Sequence, residues 1–155
     1  MESQLPELLK ILTLTKDDDG TFIGRNLFIG SPNVYGGQVL AQAVAAANAT
    51  VSDGKILHSL HSYFINPGDN DAEIRYKVET VKDGKSFNTR RVVGSQHGRD
   101  IFIMSASYQK SESGITHQAI MPNVARPEAL TSFSDLFAEF AAKFNIQPRG
   151  IFAPD

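Results

Sequence analysis

The sequence predicts an α+β fold in which a curved antiparallel β-sheet wraps around one central, buried α-helix. Three observations predict it. Residues 37–50 form an alanine-rich stretch at helical spacing, with six alanines in fourteen positions. The segments from Leu57 to Gln109 are β-like, and several alternate apolar and polar residues with period two. Asn-Pro-Gly, Asp-Gly and His-Gly pairs punctuate them at the intervals expected of tight turns.

Taken in order, Leu5 to Leu14 repeats leucines at helical spacing, and Pro6 is acceptable in a first turn. Asp17-Asp18-Asp19-Gly20 signals a turn, and Thr21 to Ile29 reads as a short strand interrupted by Gly24 and Asn26. In the helix of residues 37–50, Val39-Leu40, Ala43-Val44 and Ala46-Ala47 recur at three- and four-residue steps. Alanine is the best helix former, and a methyl-coated helix can approach a concave partner closely. Leu57 to Ile65 is the next strand. Ala72 to Val81 alternates Ile74, Tyr76, Val78 and Thr80 against Glu73, Arg75, Lys77 and Glu79, the period of a half-buried antiparallel strand. Asp83-Gly84 marks a hairpin, Ser86 to Val93 continues, and Gln96-His97-Gly98 turns into Ile101 to Gln109. The last strand places Phe102, Met104, Ala106 and Tyr108 on one face and Ile101, Ile103, Ser105 and Ser107 on the other. Strand, buried helix, strand and three-strand meander together describe the arrangement known as a hotdog. A helix laid on a flatter sheet is the competing geometry. Leu130 to Phe144 then reads as an amphipathic helix with Phe133, Leu136, Phe137, Phe140, Ala141 and Phe144 on one side.

Composition narrows the functional classes. At 155 residues the chain suits one ordinary domain. Fifteen basic and seventeen acidic residues give a net charge of −2, without the clustered basic excess of a nucleic-acid binder. Cysteine is absent, which excludes disulfides, thiolate metal sites and cysteine nucleophiles. The acidic N-terminus is unlike a signal peptide, and no run approaches the ~18 apolar residues of a membrane span. A cytoplasmic or organelle-matrix setting is the expectation.

The residues that carry chemistry are few. Gly36-Gly37-Gln38 opens the buried helix, where unpaired N–H groups and the positive end of the helix dipole meet. Two glycines leave room for a substrate to approach that backbone, which makes the turn a candidate oxyanion site. Alternatively they only make a tight turn into the helix. Alternation places His58 and His61 on opposite strand faces, so they make poor ligands for one metal. His58 is a candidate general base, although no carboxylate is placed to orient it. His97 and His117 fall in turns or loops, and Asp69, Asp71 and Glu73 form an acidic turn. Serines 105 and 107 lack a Gly-x-Ser-x-Gly elbow.

Four segments carry a resemblance: VYGGQVLAQAVAAA (34–47), LHSLHSYFINPGD (57–69), VETVKDGKSFNTRRV (78–92) and IFIMSASYQ (101–109). Together they resemble the acyl-CoA thioesterase II, or TesB-like, family, over residues 5–123. The resemblance implies a hotdog fold, hydrolysis of acyl-CoA thioesters to free acid and CoA, a role in fatty acid metabolism, and no metal or organic cofactor. It also implies about twice this length, with two hotdog repeats. Residues 1–123 would be the first repeat, and residues 124–155 a linker and amphipathic helix leading to the second. The family's catalytic network resembles an Asp, a Ser or Thr, and a Gln that position a water, all in the second repeat. Here Gly36-Gly37-Gln38 stands where an acid would be needed. Gln109 is the counterpart of the catalytic glutamine by repeat analogy. The partners implied are acyl-CoA and a second hotdog domain, or self-association through the sheet, with neither nucleic acid nor membrane.

Overall fold

The computed structural model of the chain describes residues 5–147. It divides after Glu112 into two compact units. The first runs through α1 (Leu5–Leu12), β1 (Thr15–Lys16), β2 (Phe22–Gly24), α2 (Gly36–Asn48), β3 (Ile56–Phe64), β4 (Ile74–Asp83), β5 (Phe87–Gln96) and β6 (Arg99–Gln109). The six strands form one antiparallel sheet in the order β1-β2-β4-β5-β6-β3. Helix α2 packs against β3, β4, β5 and β6.

The methyl-coated helix is the centre of the core. Ala43, Ala46 and Ala47 of α2 are fully buried with Val39. They meet Ile74 and Tyr76 of β4, Val92 of β5, and Phe102, Met104, Ala106 and Tyr108 of β6. The even-numbered residues of β6 thus face the helix, as the alternation predicts. Burial of this contiguous apolar surface is the main stabilising term, at about 25 cal/mol per Å² removed from water.

Several boundaries differ from the sequence reading, each for a local reason. The strand expected over residues 21–29 stops at Gly24. Beyond it, the Asn26 side chain donates to the carbonyls of Asp69, Asn70 and Ala72, and the Leu27 N–H is accepted by the Gln38 side chain. Side-chain amides have replaced ladder partners there. The unforeseen β1 pairs Thr15 with Ile23 and Lys16 with Phe22. The turn between them is fixed by Gly20 at φ 87 and by Asp17 and Asp19, which both accept the Thr21 N–H. The β5–β6 turn takes His97 at φ 51 and Gly98 at φ 73, two positive φ values that match a tight primed hairpin.

A β-bulge lies in β3 between Leu57 and Ser59. Leu57 pairs with Tyr108 on the helix side, whereas Ser59 pairs with Ser107 on the outer side. The extra residue is His58, and its Nε2 lies 2.9 Å from the outward Ser107 Oγ. His61 pairs with the outward Ser105. The two histidines therefore share the outer face, and the expectation of opposite faces is corrected: a bulge resets the period-two count.

The second unit begins at Ser113, ahead of the boundary expected after Asn123. The chain leaves the sheet at Gln109, and residues 110–126 form neither helix nor strand. A short 3₁₀ turn (Pro127–Ala129) precedes α3 (Phe133–Phe144). The helix starts later than Leu130 because Ser132 caps it, accepting the Asp135 N–H at 3.1 Å. Asn145 ends it in the left-handed conformation. Phe133 stacks on Phe137, and Phe140 packs at a tilt on Phe144, both at the four-residue spacing of one helical face.

Candidate functional site

The start of α2 opens on a cavity of about 420 Å³. Val34, Val39, Phe64, Ile65, Pro67 and Ile101 make its lining largely apolar, and Gly36 lies on its wall. Val34, Val39 and Ile101 are nearly buried, while Phe64 is 57% exposed, so the first three form the floor and Phe64 the rim. Tyr35 precedes the helix in an extended conformation and gives it no side-chain cap. The Tyr35 carbonyl takes the N–H groups of Gln38 and Val39. Those of Gly36 and Gly37 find no acceptor among the described residues. Two free amides at the positive end of a thirteen-residue helix can stabilise an oxygen that gains negative charge.

The two glycines have a packing reason as well. A Cβ on Gly36 would lie 3.1 Å from the Phe64 ring, and one on Gly37 would lie 2.5 Å from the Tyr35 ring. Neighbouring aromatics thus occupy the space that the missing side chains leave. The loops around the cavity are held by polar side chains. The Val34 N–H donates to the Gly68 carbonyl. The Gln96 side chain accepts the Asp69 N–H and donates to the carbonyls of Asp69 and Ala72. Asp69 also accepts the Asp71 N–H and lies 2.9 Å from His97 Nε2, and these contacts hold its carboxyl below the usual range.

The other expected site residues lie apart from this cavity. Gln38 is buried, and its side chain is spent on the Leu27 N–H, the Asn26 side chain and the Arg25 carbonyl. It braces the 25–27 segment and takes no part in the cavity lining, unlike the binding role expected of it. Gln109 pairs with Ile56 and Phe87 at the far end of the sheet. The stretch from Phe102, beside Phe64, to Gln109 spans on the order of 23 Å of extended chain. His58 is at that far end too, on the outer face, touching Ser107 and the Phe87 ring. One chain therefore does not bring Gln109 or His58 to the helix start. Among the described residues, no three His, Asp or Glu side chains gather as a metal site, and no helix is long and apolar enough to cross a membrane.

Sequence reasoning missed the buried polar residues that set this geometry. Gln42 is fully buried; it donates to the carbonyls of Ile11 and Arg25 and accepts the Tyr76 hydroxyl at 2.9 Å. Arg90 is 1% exposed and ties Thr50, beyond the end of α2, to Lys82, Asp83 and Thr89. Alternation in β5 was the available signal, because it puts Asn88, Arg90 and Val92 on one face. Burial pushes the pKa of Tyr76 and of Tyr108 above the ordinary tyrosine value, so both hydroxyls remain neutral donors.

Known proteins resemble the chain as follows. A family model described as the acyl-CoA thioesterase N-terminal domain matches residues 28–109. Acyl-CoA thioesterase 2 of Haemophilus influenzae is 43% identical over 131 residues, covering 84% of this chain and 46% of the relative. Human acyl-coenzyme A thioesterase 8 is 38% identical, covering 90% and 44%. Among solved structures, acyl-CoA thioesterase II TesB2 of Mycobacterium marinum superposes with a TM-score of 0.69 at 37% identity, covering 78% of this chain and 45% of that one. The chain spans about half the length of the curated relatives it matches.

Proposed function

The chain belongs to the acyl-CoA thioesterase N-terminal domain family, and from that premise we propose that it is the substrate-shaping half of an enzyme that hydrolyses acyl-CoA to free acid and CoA. One observation carries the reading: an apolar cavity with Gly36 in its wall lies at the start of α2, where the N–H groups of Gly36 and Gly37 are unpaired among the described residues. Water attacks the thioester carbonyl, the carbonyl oxygen gains negative charge, and the two amides stabilise it. Donors of this kind contribute about 3 kcal/mol each to the transition state. The C–S bond then breaks and CoA leaves as the thiol. The cavity lining carries no carboxylate, so the groups that position the water belong to a second hotdog. Gln109 is the counterpart of a glutamine in that second half.

The second hotdog, or a second copy of this chain, pairs along β3. That strand ends the sheet order with one neighbour, and it exposes Ile56, Leu60, Tyr63 and Phe64. An unpaired edge of nine residues is a template for another strand. The setting is the cytoplasm, or the peroxisomal matrix of a eukaryote, where acyl-CoA is at hand.

The same lack of a carboxylate favours a second reading, a module that binds acyl-CoA or dimerises without catalysis. A thiol-release assay across several acyl-CoAs, with this chain alone and with the second repeat supplied, separates the two. Turnover only in the completed protein is expected. No turnover from the completed protein sinks the enzymatic reading. Turnover by this chain alone, abolished by Gln109→Ala, overturns the division of labour.

A further inference from the structure

We propose that Phe64 is the wall that sets which acyl chains the cavity accepts, an inference that rests on the acyl-CoA reading above. Phe64 lines the cavity from the helix-facing side of β3, paired with Phe102 in the ladder and packed edge-on against its ring at 5.2 Å. Its opposite edge presses on the first turn of α2, so closely that a Cβ on Gly36 would lie 3.1 Å away. The ring thus closes the space between the helix start and the end of β3. The floor of the lining, Val34, Val39 and Ile101, is at most 8% exposed and backed by the core. Phe64 shares the exposed side of the lining with Ile65 and Pro67 and is the aromatic ring among them, set between the helix start and Phe102, so trimming it lengthens the cavity without disturbing the core.

The size supports a bounded site. At roughly 30 Å³ for a water-sized group, 420 Å³ holds on the order of a dozen such groups. A methylene occupies about that volume, and the thioester end takes a share. The class of group that fits is an unbranched acyl chain. Shrinking Phe64 opens a path past the ring, so longer chains gain burial that shorter ones cannot use.

The test substitutes Phe64→Ala and Phe64→Leu and measures two quantities. The first is the affinity of non-hydrolysable straight-chain alkyl-CoA thioethers, from short to long, by calorimetry on this chain alone and with the second repeat. The second is kcat/KM on the matching acyl-CoAs with the second repeat supplied. Phe64→Ala is expected to favour long over short thioethers by roughly tenfold or more, the scale of one methylene in an apolar pocket. Phe64→Leu falls between it and the parent. An equal change at every chain length, in both variants, overturns the assignment and leaves the ring as packing alone. A length-selective shift in binding without turnover in any version keeps the wall and counts against the hydrolase reading.

Discussion

Replacing Arg90 probes the unexpected charge in the core. Its side chain is 2% exposed and pairs with Asp83 at 2.7 Å. It also donates to the Thr50 hydroxyl at 2.8 Å, the Thr50 carbonyl at 3.0 Å, and the carbonyls of Lys82 and Thr89 at 3.1 Å. Arg90→Met keeps most of the volume and removes every donor. Each lost charged hydrogen bond is worth about 1.5–3 kcal/mol. The sum is discounted because Asp83 is 57% exposed and rehydrates. Removing one side of a buried charge network costs about 3–5 kcal/mol, and that is the loss expected here. It is a fifth or more of the stability of an ordinary domain, about 5–15 kcal/mol. Arg90→Lys retains the charge but cannot reach Thr50 and Lys82 together, so it falls between. Urea unfolding followed by circular dichroism measures both. A loss below about 1 kcal/mol for Arg90→Met, or a lysine variant as stable as the parent, refutes the reasoning.

Other substitutions follow from the same structure. Gly24→Ala puts a Cβ 2.5 Å from the Gln42 side-chain oxygen and should cost about 1–3 kcal/mol by overpacking; combined with Gln42→Ala the costs should be less than additive in thermal melts. Asp19 is held down to about 2, first by a hydrogen bond with Asp17 and then by Thr21. Its folded value lies below its ordinary 3.8, so it contributes stability above the ordinary carboxylate range that is lost as pH falls through about 2. Asp19→Asn should flatten that acid limb in a series of melts against pH, and an unchanged limb would contradict the sign. His58→Gln should leave turnover of the completed protein close to the parent, because His58 lies on the outer face and bonds Ser107. A loss of roughly a hundredfold or more would make it the general base.

Much of the fold was legible because its determinants are local and periodic. The alanines of residues 37–50 announce the buried helix, and alternation in 74–80 and 101–108 assigns the faces of β4 and β6. What escaped depends on contacts distant in sequence. Asn26 ends β2 by reaching residues 69–72, and no pattern near Asn26 encodes that partner. The bulge at His58 is one residue long, and it moved two histidines onto one face. The helix-start amides were legible from Gly36-Gly37, but the rings of Phe64 and Tyr35 that fill the glycine spaces were not. Gln38 looked like a site residue because it stands beside those glycines. Its inward direction follows from helix geometry, since Gln38 and Gln42 are four apart on the face that holds the 25–27 segment.

The central claim is that the thioester carbonyl is received at the start of α2. Amide chemical shifts of the chain, titrated with a non-hydrolysable acyl-CoA thioether that keeps a carbonyl beside its CH₂–S link, test it most directly. The largest changes should fall on Gly36 and Gly37, with Phe64 and Ile101 following as the acyl chain enters the cavity. Changes confined to the outer face, around His58, His61 and Ser107, with Gly36 and Gly37 unmoved, would contradict it.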